Sequence, residues 1–166
     1  MAPEPDVDVD VLYRDVDVED VDFYLDWLSG LDADVVQAFD ARYVAGEPHL
    51  ASAFYKARRA FERDENVGDD LAIETLLYAA GTRQIDVAFE IGLSSDTDTA
   101  VFLVHPPSDD VGDEIRRKTE PPSTREFDRE TAYEFYGVTP EELDAVGEHK
   151  AEMLVLERVA LLDVEK

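Results

Sequence analysis

The spacing of apolar positions divides the chain into alternating strand-like and helix-like stretches. Between Val7 and Val18 apolar residues fall largely at every second position, which is the strand period and predicts a first strand over 9–14. Asp20 then stands as an N-cap for a helix over 21–29, with Tyr24, Leu25 and Leu28 inward, Trp27 as a core or rim aromatic, and Gly30 as the stop. Val35, Val36, Ala38 and Phe39 predict a second strand over 34–41. Gly46-Glu47-Pro48 opens a helix to Arg63, with proline in its first turn. Leu50, Ala53, Phe54, Ala57, Ala60 and Phe61 form its buried stripe, and Lys56, Arg59 and Arg63 share another face.

The stretch 66–85 organises the rest. Leu71 to Ala80 is apolar on nearly every side, Asp69 and Asp70 precede it as capping and first-turn residues, and Gly81 sits where a left-handed terminus is wanted. A helix apolar all round belongs in the middle of a domain. Its two ends therefore display Asn66 on one side and Arg83-Gln84 on the other from a rigid support. Beyond it the pattern predicts a helix over 83–91 bounded by Gly92, and a third strand over 99–104 stopped by Pro106-Pro107. A short helix follows from Ser108 to Lys118, ended by Pro121-Pro122, and then an amphipathic helix over 126–136 before Gly137. Thr139-Pro140-Glu141-Glu142 is a capping box with proline at the first helical position. The closing helix, 151–163, carries Met153, Leu154, Val155, Leu156, Val159, Ala160, Leu161 and Leu162, more apolar surface than one core-facing stripe uses. Residues 1–6 read as a frayed lead-in and the whole chain as one domain, with neither repeat nor linker.

Composition changes this picture in one respect. At 166 residues with 45% hydrophobic content the chain has the makings of a core, yet 41 Asp and Glu against 15 Lys and Arg leave a net charge of −26. Periodic aliphatic and aromatic positions argue against disorder. A folded protein from a high-salt cytoplasm fits, because a dense carboxylate surface holds water where the Debye length falls to about 3 Å near 1 M salt. Against that background residues 51–63 carry Lys56, Arg58, Arg59 and Arg63 with only Glu62 opposing, a local balance of +3.

Candidate chemistry is sparse. The chain has no cysteine, so thiolate metal sites and disulfides are excluded. His49, His105 and His149 stand in separate segments without ligand spacing, and no phosphate loop, nucleophile elbow or dinucleotide turn is present. The expectation is a soluble, cytoplasmic protein without metal, cofactor or catalytic residues, lacking a leader or an apolar run of about 18 residues. Each remaining residue has a plain structural role beside a functional one. Lys56, Arg59 and Arg63 are either a solvated, acid-paired face or a phosphate-binding ridge. Glu74 is by default a salt-bridged or rim residue, Asn66 a turn residue, and Arg83 and Gln84 groups that tie down the Gly81 turn.

Asn66 with Glu74-Thr-Leu-Leu-Tyr-Ala-Ala-Gly81-Thr-Arg83-Gln84-Ile85 resembles the small non-catalytic subunit of the KEOPS tRNA-modification complex, the PRPK-binding (TPRKB-like) family. Tyr136-Gly-Val-Thr-Pro-Glu-Glu-Leu143 and Leu154-Val-Leu-Glu-Arg158-Val-Ala-Leu-Leu162 resemble that family's C-terminal part. Thr82 departs from it, since a basic residue is commoner there. The resemblance implies an α/β (α+β) single domain, helices packed beside a small, mainly antiparallel sheet of about three strands. It implies a protein that docks on and stimulates a PRPK-type kinase/ATPase, and through it joins the threonylcarbamoyl transferase and dimerisation subunits. It also implies recruitment of tRNA by the 3′ CCA end, with Lys56, Arg59, Arg63, Asn66, Gly81, Arg83 and Gln84 at the RNA. Leu154, Leu156, Val159 and Leu162 on the apolar closing helix are the expected kinase contact. A pure protein-interaction regulator without RNA contact is the competing expectation.

Overall fold

The computed structural model describes residues 8–147 and 150–165, with side chains to Leu162; the expected frayed lead-in over 1–6 and His149 lie outside the described residues. Three strands, β1 (Asp10–Asp15), β2 (Val35–Asp40) and β3 (Thr99–His105), form an antiparallel sheet in the order β1-β3-β2. Phe102 on β3 lies opposite Leu12 on one side and Ala38 on the other. Flanked on both edges and covered on both faces, β3 is buried from Thr99 to Val104. That is why its sequence is a continuous apolar run rather than an alternation.

Alternation along the outer strands sorts side chains into two cores. Tyr13, Phe39, Val101 and Leu103 face α2 (Glu47–Glu62), α3 (Leu71–Ala80) and the end of the last helix, where Val159 and Leu162 join them. Leu12, Ala38, Ala100, Phe102 and Val104 face the other way, against Leu28 of α1 (Val21–Ser29) and Val111 and Ile115 of α5 (Asp109–Arg117). The sheet is thus the middle layer of three. Beside α3, α4 (Ile85–Ala88) and a 3-10 turn (Phe89–Ile91) lead back toward β3. A third cluster joins Ala132 and Tyr136 of α6 (Arg129–Tyr136) to Leu154 and Val155 of α8 (Ala151–Glu165), with α7 (Pro140–Val146) between them.

The caps follow the sequence. Asp20, Asp70, Ser108, Asp128 and Thr139 each accept a hydrogen bond from the backbone N–H three residues on, and Thr139 with Glu142 closes the full capping box. Three details differ from the periodic reading. Leu25 is 44% exposed, because α1 meets the sheet only along Leu28 and the neighbouring rings of Tyr24 and Trp27. The helix expected over 126–136 begins only at Arg129, where Asp128 supplies a cap. The helix expected over 83–91 is a single α-turn continued as 3-10, started at Gln84 without a side-chain cap.

Candidate functional site

The basic ridge and the polar ends of α3 sit on one helix pair, and local chemistry fixes that pair. α2 and α3 are joined by residues 63–70 and run antiparallel, since His49 in the first turn of α2 reaches Ala79 in the last turn of α3. His49 is fully buried: its Nδ1 accepts the Ala45 N–H at 3.0 Å and its Nε2 donates to the Ala79 carbonyl at 2.8 Å. Burial pulls its pKa down to about 4 against the opposing pull of the Ala79 bond, so the ring is neutral with the proton on Nε2. Tyr136 caps the same corner, its hydroxyl donating to the Tyr43 carbonyl at 2.7 Å.

At the other end of the pair Glu74 turns back under the connecting loop. Its carboxylate accepts the N–H groups of Val67 at 2.9 Å and Gly68 at 2.7 Å, and the Asn66 amide donates to the Gly68 carbonyl at 2.9 Å. Glu74 is therefore a buried loop anchor, not the rim residue its charge suggested. Gly68 lets this happen: a Cβ there would lie 2.9 Å from the Ile73 Cγ2 and 3.1 Å from the Glu74 nitrogen.

The far end of α3 closes on Gly81 in the left-handed region at φ 69°, with the Thr82 N–H returning to the Leu77 carbonyl at 3.1 Å. Helix α8 crosses directly above. A Cβ on Gly81 would stand 3.3 Å from Arg158 Cβ and 3.4 Å from its carbonyl oxygen. Arg158 in turn donates from Nε to the Tyr136 carbonyl, and from a terminal nitrogen to the Gly137 carbonyl, both at 3.0 Å, and to the Glu142 carboxylate at 2.9 Å. Arg83 and Gln84 project exposed from this turn.

Asn66 and the Arg83-Gln84 turn consequently lie at opposite ends of α3, a helix about 15 Å long at 1.5 Å per residue. They do not form one cluster. Lys56, Arg59 and Arg63 run along the solvent side of α2 between those ends, with Arg63 on the Asn66 side. The Arg59 guanidinium also lies over the Tyr55 ring at 5.5 Å.

A family model described as "Kinase binding protein CGI-121" matches residues 15–163, all but the two ends. The chain belongs to the CGI-121 family. A search among curated proteins finds no match.

In this CGI-121 chain, three of the four apolar residues expected at a kinase turn inward. Leu154 packs with α6, and Val159 and Leu162 with α2 and α3; Leu156 alone is half-exposed. The apolar surplus of α8 faces outward elsewhere, as a stripe of Met153, Leu156, Ala160 and Leu161, of which Met153 is 49% and Leu161 42% exposed. Sequence reasoning also missed Ile85 and Phe89, exposed beside the Arg83 turn, the latter to 53%. Their i, i+4 spacing was a legible signal, since it places both on one face of the turn that starts at Gln84. Among the described residues no group of three or more His, Asp or Glu side chains is placed to hold a metal ion, and no helix is long and apolar enough to cross a membrane.

Proposed function

We propose that this chain is the small non-catalytic subunit of a KEOPS-type tRNA-modification complex, working in a high-salt archaeal cytoplasm. It docks on a PRPK-type kinase/ATPase, stimulates it, and presents tRNA by its 3′ CCA end to the threonylcarbamoyl transferase. The observation that carries this reading is the match to a kinase-binding family over residues 15–163. The outward stripe of α8 supplies an apolar surface for the kinase, with Leu156 at its edge and Leu154, Val159 and Leu162 holding the helix in place beneath it.

The RNA half of the reading rests on α2 and the ends of α3. Lys56, Arg59 and Arg63 suit successive phosphates, and Asn66 at one end of α3 and Arg83 and Gln84 beside the Gly81 turn at the other suit base edges and ribose. Because the two ends are a helix length apart, a single nucleotide meets one end, and a strand of several nucleotides along α2 is needed to reach both. Three phosphate contacts correspond to a salt slope of about −2, and loss of one lowers its magnitude by about 0.7. Gel-shift titration of tRNA with Lys56→Glu and Arg83→Ala, each with its thermal unfolding measured alongside, tests the assignment. Weaker binding by both folded variants supports it, and wild-type affinity in both overturns it.

A second reading, a kinase regulator with no RNA contact of its own, has one observation in its favour. One N–H of the Asn66 amide donates to the Gly68 carbonyl, which gives Asn66 a structural role in its loop.

A further inference from the structure

The face of the sheet opposite α2, α3 and α8 carries an aromatic groove that none of the roles above uses. It encloses about 480 Å³ beside the start of α1, within the range of roughly 300–1,000 Å³ typical of ligand clefts. Its apolar wall is Phe23, Tyr24 and Trp27. Phe23 is 71% exposed, the most exposed large apolar residue of the described chain, and Tyr24 meets Trp27 edge-to-face at 5.1 Å. The Tyr24 hydroxyl is buried without a hydrogen-bond partner. Asp17, Glu19 and Asp20 line the rim, and Lys118 reaches in from the end of α5 with its Nζ 5.6 Å from the centroid of the Trp27 ring.

Two features fix the chemistry of an occupant. Three carboxylates against one ammonium make the groove negative, in a chain already at −26, so nucleic acid is repelled and a cation attracted. Lys118 shows what the groove accepts: an ammonium over the open face of Trp27, an arrangement worth about 0.5–1 kcal/mol at exposed sites. An arginine guanidinium is flatter and less strongly hydrated, and suits the same face better. We infer that this groove binds a basic segment of a partner protein, an arginine or lysine laid over Trp27 in competition with Lys118 and an apolar neighbour set against Phe23.

Trp27 is the single tryptophan, so its fluorescence reads the groove directly in the full chain. In molar KCl, where only contact-range attraction to the groove survives screening, the peptide acetyl-Arg-Leu-Arg-amide is expected to change it saturably, and acetyl-Glu-Leu-Glu-amide to leave it unchanged. Phe23→Ser and the pair Asp17→Asn with Glu19→Gln, all at exposed positions that leave the core alone, weaken the basic peptide at least fivefold. Lys118→Ala removes the internal competitor and tightens it severalfold, an effect that a merely structural lysine would not produce. Equal responses to the two peptides, weaker binding by Lys118→Ala, a saturable response to a single-stranded oligonucleotide, or a fluorescence change on concentrating the protein alone would each overturn the inference. The last of these would identify a second copy as the occupant.

Discussion

His49 gives the helix pair a calculable dependence on pH. Its ordinary pKa is 6.5 and its folded-state value about 4, so an unfolded chain takes up a proton below pH 6.5 while the folded chain refuses it until about pH 4. Stability from this group is therefore intact above pH 6.5 and falls as pH drops through that window, by about 1.4 kcal/mol per unit. The wild-type chain loses about 2 kcal/mol from this source between pH 7 and pH 5. His49→Gln can keep an acceptor for the Ala45 N–H and a donor for the Ala79 carbonyl without titrating. It is expected to be about 1–2 kcal/mol less stable than wild type at pH 7 through imperfect geometry. That gap should close at pH 5. Urea unfolding followed by circular dichroism at both pH values, with salt held constant, measures the difference. Taking the difference cancels the many carboxylates and the other histidines. A gap that stays constant or widens on acidification refutes the assignment of His49 as a buried neutral clamp.

Two further outcomes follow from the same geometry. Gly81→Ala combines a left-handed backbone with a Cβ at 3.3 Å from Arg158, and is expected to cost about 1–2 kcal/mol and to lower the thermal midpoint; an unchanged midpoint would mean that α8 does not press on this turn. Leu156→Glu places a charge at the edge of the outward stripe of α8 and should abolish capture by the purified kinase partner, whereas Val36→Ile, beneath α1 on the other sheet face, should leave capture unchanged. Full capture by Leu156→Glu would move the kinase surface away from α8.

What the sequence revealed and what it hid divide along the range of the interactions. Caps, the central helix, the three strands and the stop at Gly81 depend on neighbours within a few residues, and Asp70, Ser108 and Thr139 were readable for that reason. The buried roles of Glu74 and His49 depend on the loop before α3 and on a carbonyl thirty residues away. Nothing in their spacing distinguishes them from surface groups. Helix α8 was readable as doubly apolar, but which side faces the core is set by where α2, α3 and α6 stand. Leu154, Val159 and Leu162, expected at the kinase, are for that reason buried against α2, α3 and α6. That Asn66 and Arg83 stand at opposite ends of one helix was readable, because the helix between them is set by its own caps.

The direct test of the proposed RNA role is the affinity of the wild-type protein for one tRNA with its CCA end intact and for the same tRNA trimmed of it, in molar KCl where counterion release contributes little. Clear preference for the intact tRNA is predicted. Equal affinity for the two, or no binding to either, would contradict a tRNA-recruiting subunit and leave the kinase regulator.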